Sequence, residues 1–397
     1  MINTCFCSAA RIFFTVNALA SIGLNIGIVG VGWLIIDATG SNQLLGTYGA
    51  LSLISAFVAL ALAGAVMDKY SKLALLRFCC VGQASIFFLT SLLSYLQVPV
   101  LWIVYGLAVL NMPLMVLFSV VSRGAVACIW DEALLTRGNS VLEITLQIGA
   151  IFAALLTGVL YQWFGFSLLI GLAGWLCLAA ALLLIKWPIV IQTTEKRSAP
   201  FMAELRAGWN YLIRQKKALL YGFLAFIPTI IISVSNTVIP GYVEQSLGKQ
   251  SITYGIGDMC FAVGALLAGW IGTRWERLQT RFLGVLFLVA TMGLALLQIG
   301  RSVLLFYTMI FVVGISLAQL RILLNTLFMK KVDTSYLGRS LSLLMAMAMF
   351  LQAVLSYGIG RWMDWCGAAS GFMGLWGLCL FGLLFLGIAG RLERVDS

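Results

Sequence analysis

Two polar pairs at helical spacing interrupt an otherwise apolar chain. Glu143 is followed by Gln147, and Arg321 by Asn325; residues four apart share one helix face. A carboxyl partly withdrawn from water is a candidate proton carrier, and a guanidinium in an apolar wall can grip an anion through two parallel hydrogen bonds. Asp37 and Asp258 are two further acids in apolar surroundings, and Asn17, Asn25, Asn111 and Asn236 add neutral polarity. Each has a plainer reading. Arg321 can be a structural partner of Glu143 or reach toward the membrane surface, Glu143 can cap or pack a helix entrance, and Asp37 and Asp258 can be helix-end residues.

Other chemistry has little to work with. The chain has 9 cysteines and no histidine. Neither Cys5 with Cys7 nor Cys79 with Cys80 has the paired spacing of a zinc site, so no metal or cofactor is expected. No grouped set of acids or nucleophiles supports an enzyme. No GxxxxGK[ST] phrase supports ATP binding.

The surroundings dictate how these residues must be held. Of 397 residues, 62% are hydrophobic and 10% charged, with a mean hydropathy of +1.04. Soluble domains carry roughly a quarter charged residues. Runs of about 20 apolar residues suffice to cross the hydrocarbon as helices, whereas a spanning barrel would need shorter, alternating runs. Twelve spans are expected, near 11–36, 44–66, 74–96, 100–121, 139–160, 166–188, 218–242, 252–273, 282–299, 303–328, 340–362 and 369–390. No removable signal peptide is read at the start.

The charge of +11 is a matter of topology rather than of nucleic-acid binding. With the N-terminus in the cytoplasm, 21 of the 25 basic residues fall inside. Only Lys249, Arg301 and Arg361 fall outside, and Arg321 lies within a span. The positive-inside rule therefore places both termini in the cytoplasm. The longest polar stretch divides the chain into an N-terminal bundle (1–188), a linker (189–217) and a C-terminal bundle (218–397). Within the linker, Phe201, Leu205, Trp209 and Leu212 recur at helical spacing among charges, as in a short interfacial helix. Eight tryptophans (102, 163, 187, 209, 270, 275, 362 and 365) fall near span ends, as an interfacial belt requires.

One phrase occurs twice. GAVMDKYSK (64–72) follows the second span and GWIGTRWER (269–277) follows the eighth, which is the second span of the second half. Duplication of a six-helix unit explains spacing, topology and match together. With Gly64, Asp68, Lys69 and Lys72 in that turn, the whole chain resembles the major facilitator superfamily. Ser71 and Leu73 stand where the family commonly has Gly and Arg. Trp33–Gly46, Arg137-Gly138-Asn139-Ser140 and Asn325–Arg339 resemble the bacterial enterobactin-exporter and macrolide-efflux branch. The Gly-Pro that drug antiporters often carry in helix 5 is absent from GAIFAALLTG (149–158).

The resemblance implies an all-α membrane protein of twelve helices in two pseudo-symmetric six-helix bundles. It implies a monomeric secondary transporter in the bacterial inner membrane, surrounded by lipid and driven by a proton gradient. The substrate would be a small amphipathic or anionic molecule such as a siderophore or drug, exported by rocking of the two halves; uptake by the same fold is the alternative, and a transport-inactive receptor a third. Helices 1, 4, 7 and 10 line the family's cavity, which makes Arg321, Asn325, Asn17, Asn25, Asn111 and Asn236 substrate candidates. Glu143, Asp37 and Asp258 are the proton-coupling candidates. The gating set is Gly64, Asp68, Lys69, Lys72, Arg77, Arg274 and Arg277, with Asp68 accepting from the N-terminal amides of helix 11. Thr273 replaces the Asp in the second copy. Gly264 and Gly269 are expected to permit close helix contacts, and Pro113, Pro228 and Pro240 to loosen helices 4 and 7.

Overall fold

The computed structural model describes residues 2–129, 135–186, 201–272 and 279–395. Among them every regular element is helical: α1 (Ile2–Thr39), α2 (Asn42–Lys69), α3 (Lys72–Tyr95), α4 (Val100–Ile129), α5 (Leu135–Ile185), α6 (Phe201–Arg214), α7 (Lys216–Gly241), α8 (Ser251–Gly272), α9 (Gln279–Ile299), α10 (Val303–Lys331), α11 (Thr334–Cys366) and α12 (Gly371–Val395). Helices are the solution available to isolated apolar runs in hydrocarbon, since each satisfies its own backbone polar groups.

Eleven of these helices carry stretches long and apolar enough to cross a membrane, and one of them holds two crossings. The 48-residue stretch Gly138–Ile185 would extend about 72 Å as an unbroken helix, more than twice the hydrocarbon thickness. It is interrupted at Gly165, whose φ of 74° and ψ of 176° belong to no helix. Only glycine adopts that backbone conformation cheaply. The interruption falls between the expected spans 139–160 and 166–188, so the expected twelve crossings are all present.

Several helices outrun the spans expected from sequence. α10 continues to Lys330 and Lys331, which sit in its last turn where cations meet the exposed carbonyls. α4 and α7 remain continuous through Pro113, Pro228 and Pro240. The expected loosening shows only after Pro240, where one π turn, Tyr242–Ser246, follows α7.

Many large apolar side chains are exposed among the described residues. Ile299 (80% exposed), Leu304 (73%), Phe350 (71%) and Leu384 (69%) face away from the protein, a pattern suited to lipid and not to water. Trp102, Trp163, Trp209, Trp362 and Trp365 of the expected belt are exposed, and the side chains of the other three lie outside the described residues.

The chain forms two compact units. The first comprises Met1–Ala38 and Leu51–Ser198, and the second Thr39–Ala50 and Ala199–Ser397. In the first, α3 packs on α5, where Gly171 and Gly174 lie against Ser91 and Phe88. Ser91 donates to the Ser167 carbonyl at 2.7 Å, and Phe13, Ile26, Leu76 and Phe87 are fully buried. In the second, α10 packs on α8, α9 and α7, around buried Phe287, Phe306, Phe328 and Phe372. The second unit thus takes in the start of α2, a segment that the sequence assigns to the N-terminal bundle.

Candidate functional site

In the first unit, α1 carries a polar line at intervals of four residues: Asn17, Ser21 and Asn25. Asn17 and Ser21 are buried and Asn25 is half-buried. Ser21 donates its hydroxyl to the Leu146 carbonyl of α5 at 3.0 Å, and Asn25 donates to the Ser21 carbonyl at 2.8 Å. The Asn17 amide nitrogen donates to the Phe13 carbonyl at 2.9 Å, while its buried oxygen has no hydrogen-bond partner among the described residues. Asn111 of α4 is buried with its oxygen likewise unmatched. Gln83 of α3, absent from the sequence candidates, is fully buried with neither amide atom matched. Buried amides of this kind are unusual and mark places where polar contacts with something else are possible.

Two acids of this unit have partners. Glu143 forms an ion pair with Arg123 of α4 at 2.6 Å, with both side chains about half exposed. Asp37 accepts a hydrogen bond from the Tyr161 hydroxyl at 2.8 Å.

The basic residues expected at the gate do local work. Arg77 donates to the Leu184 carbonyl at 2.7 Å, at the C-terminal end of α5. Lys72 donates to the Gly124 carbonyl at 3.0 Å in the last part of α4. The Leu184 carbonyl is one that the helix itself leaves without a donor, and a cation there is favourable. Lys69 is exposed in the last turn of α2. The surroundings of Gly64, the Asp68 side chain and the residues Thr273, Arg274 and Arg277 lie outside what the structure describes.

In the second unit, Arg321 and Asn325 of α10 are half-buried and Asn236 of α7 is exposed. Two residues before Arg321, Gln319 is buried with both amide atoms lacking a hydrogen-bond partner among the described residues. Asp258 lies on α8, half-buried, with the buried Tyr254 one turn before it. Tyr254 interacts electrostatically with Asp258 and with Tyr48. Among the described residues Asp258 forms no ion pair, in contrast to Glu143.

The most completely built polar cluster was not among the sequence candidates. Asp364, in the last turn of α11, accepts four hydrogen bonds from the start of α2. They come from the Asn42 backbone (2.8 Å), the Asn42 amide (3.0 Å), the Gln43 backbone (3.0 Å) and the Ser41 hydroxyl (3.0 Å). Gln245 joins it, accepting from the Asn42 amide at 3.0 Å and donating to the Gly40 carbonyl at 2.8 Å. A carboxylate here meets two orphan amides and the positive end of the helix. Close approach is made possible by glycine: a Cβ on Gly46 would run into the Ser356 carbonyl, and one on Gly360 into the Asn42 carbonyl. A sequence signal existed. Gly360-Arg-Trp-Met-Asp364 repeats the Gly-x-x-x-Asp spacing of Gly64 and Asp68, so the chemistry expected of Asp68 is visible at a different aspartate.

Replacing Asp364 by Ala removes the acceptor for all four bonds. We expect it to cost about 1–2 kcal/mol, as for other lost helix caps. Thermal unfolding in detergent should shift downward, and amides 40–50 should exchange faster. Unchanged exchange in that segment would refute the capping role.

A family model described as Major Facilitator Superfamily matches residues 13–348. No curated protein matches the chain by sequence. Among solved structures, a point-mutant form of the nucleoside transporter NupG is similar with a TM-score of 0.76 at 14% identity, covering 96% of this chain and 99% of that one. A D-xylose-proton symporter gives 0.73 at 12%, covering 95% and 96%. The peptide transporter POT in complex with sulfate gives 0.73 at 12%, covering 97% and 95%. At these identities the likeness speaks for the fold.

Proposed function

This chain belongs to the major facilitator superfamily, and on that premise we propose that it is a proton-coupled exporter of a small amphipathic or anionic metabolite, such as a siderophore or drug. It is a multi-pass membrane protein with a transporter fold and not an enzyme. The observation that carries the coupling is the contrast among its membrane acids. Glu143 has its charge matched by Arg123 and Asp37 is held by Tyr161. Asp258, without an ion pair among the described residues and beside Tyr254, is the acid free to exchange a proton. Substrate contact is assigned to Arg321, Asn325 and Asn236 in the second unit and to Asn17, Asn25 and Asn111 in the first. Arg321 selects for a carboxylate or similar group.

The protein works as a monomer by alternating access in the bacterial inner membrane, with both termini cytoplasmic. Its gating set is Gly64, Asp68, Lys69, Lys72, Arg77, Arg274 and Arg277. The siderophore assignment draws on the likeness to the enterobactin-exporter branch in the turns around Trp33–Gly46 and Arg137–Ser140. Uptake is the second reading, favoured by the fold's similarity to a D-xylose-proton symporter.

Inside-out vesicles carrying the overproduced protein and an imposed inward-acid gradient provide the test. With a catecholate siderophore and an anionic amphipathic dye as probes, export predicts gradient-dependent accumulation of at least one of them, abolished by an uncoupler. Accumulation only in right-side-out vesicles would establish uptake instead. No flux of either probe in either orientation would count against the export reading and favour the receptor.

A further inference from the structure

We propose that the outer face of α6 is a docking surface for anionic lipid headgroups, through which the bilayer surface bears on the start of α11. α6 has two faces. Gly208, Tyr211 and Leu212 turn toward the rest of the second unit: Gly208 and Leu212 are buried, and a Cβ on Gly208 would lie 2.6 Å from the Arg339 carbonyl of α11. Tyr211 stacks on Tyr336, with ring centroids 4.5 Å apart and planes 7° from parallel. Its hydroxyl accepts from the Asp333 backbone amide at 3.0 Å and donates to the Asp333 carboxylate at 3.3 Å. Asp333 is the N-cap of α11, so one tyrosine of α6 holds the residue at which α11 begins.

The opposite face is unpartnered among the described residues and has a defined chemistry. At 3.6 residues per turn, Arg206, Trp209, Asn210, Ile213 and Arg214 fall on one side. All five are exposed, Trp209 at 44% and Ile213 at 50%. The sequence stripe that grouped Trp209 with Leu212 is therefore divided: Leu212 packs inward and Trp209 faces out. A Trp and an Ile one turn apart, flanked by two arginines, match the composition of helices that lie in a membrane interface.

Chain connectivity names the occupant. α6 ends at Arg214, and the apolar membrane stretch of the next helix starts at Ala218. Three residues span at most about 11 Å, so the end of α6 must sit at the level of the lipid headgroups. Lys216 and Lys217 add two cations to that short interval, and Glu204 is the one acid in residues 201–217. Basic residues at this depth attract anionic headgroups. Trp209 and Ile213 enter the headgroup boundary, Arg206 and Arg214 contact phosphates, and Tyr211 transmits the docked position of α6 to Asp333 and Tyr336.

The test uses the full-length protein in nanodiscs of phosphatidylcholine alone, or with about a third phosphatidylglycerol. Hydrogen exchange is followed in peptides covering 201–217 and 333–340. Anionic lipid should slow exchange in both peptides by up to about thirtyfold, the factor that corresponds to the electrostatic gain of two arginines near such a surface. In the R206Q/R214Q variant that lipid dependence should disappear while the melting temperature in detergent is unchanged. W209F should keep the lipid dependence and W209S should weaken it. Equal exchange in the two lipid compositions, or full lipid dependence in R206Q/R214Q, overturns the proposal. Protection of this face by added soluble protein, with no response to phosphatidylglycerol, assigns it to a protein partner and also overturns it.

Discussion

Asp258→Asn is expected to abolish proton-driven transport while leaving the protein folded. The substitution is close to isosteric and removes the ability to pick up and release a proton. Asp258 is half-buried in α8, beside Tyr254, and no described cation compensates its charge. An intramembrane carboxylate is costly to keep, on the order of 3 kcal/mol on insertion scales, so removing it should not harm the fold. In proteoliposomes loaded with a pH-sensitive dye, the wild type should alkalinise or acidify its lumen when substrate is added. The variant should show no such change, and should still exchange substrate down its own gradient. Glu143→Gln is the matched control. Its partner Arg123 is exposed and the pair lies at a half-exposed position, where ion pairs contribute little, roughly 0–1 kcal/mol. Coupled flux should survive in that variant. Loss of coupling in Glu143→Gln with retention in Asp258→Asn would reverse the assignment of the proton carrier.

The sequence announces the helices because continuous hydrophobicity of span length has one structural outcome. The interruption between the fifth and sixth spans is legible for the same reason, and Gly165 supplies its geometry. The polar network is much less legible. Asp364 reads in sequence as one more charge at a span end beside Arg361. Its role depends on a partner 322 residues away in the chain, the backbone amide of Asn42, and backbone donors leave no trace in composition. The repeated phrase points to the right chemistry, an aspartate four residues after a glycine meeting a helix N-terminus. The described example belongs to Gly360 and Asp364. Gln83 and Gln319 escape notice because a lone glutamine in an apolar run carries no charge. Arg77 and Lys72 enter from sequence only as members of the gating set, and in the structure they donate to backbone carbonyls of α5 and α4.

Gly314→Leu is expected to destabilise the second unit by forcing α8 and α10 apart. A Cβ at Gly314 would stand 2.5 Å from the Phe261 carbonyl and 3.1 Å from the Phe261 Cα, and one at Gly264 would stand 2.5 Å from the Phe311 carbonyl and 3.1 Å from the Ile315 amide. α8 and α10 therefore meet backbone to backbone at two reciprocal positions. In a membrane, such packing and its weak polar contacts replace the hydrophobic effect as the force between helices. The atoms in the way are main chain, so no rotamer change relieves the clash. Overpacking of this kind costs about 1–3 kcal/mol, and a leucine here belongs at the upper end. Gly264→Leu should cost a similar amount, and the double variant less than the sum, because both act on one interface. Gly269 supplies the contrast. Sequence spacing groups it with Gly264, yet a Cβ there meets nothing within 4 Å among the described residues, so Gly269→Leu should leave the melting temperature in detergent where it was. Equal melting temperatures for the variants at positions 314 and 269 would mean that close α8–α10 contact does not hold this unit together.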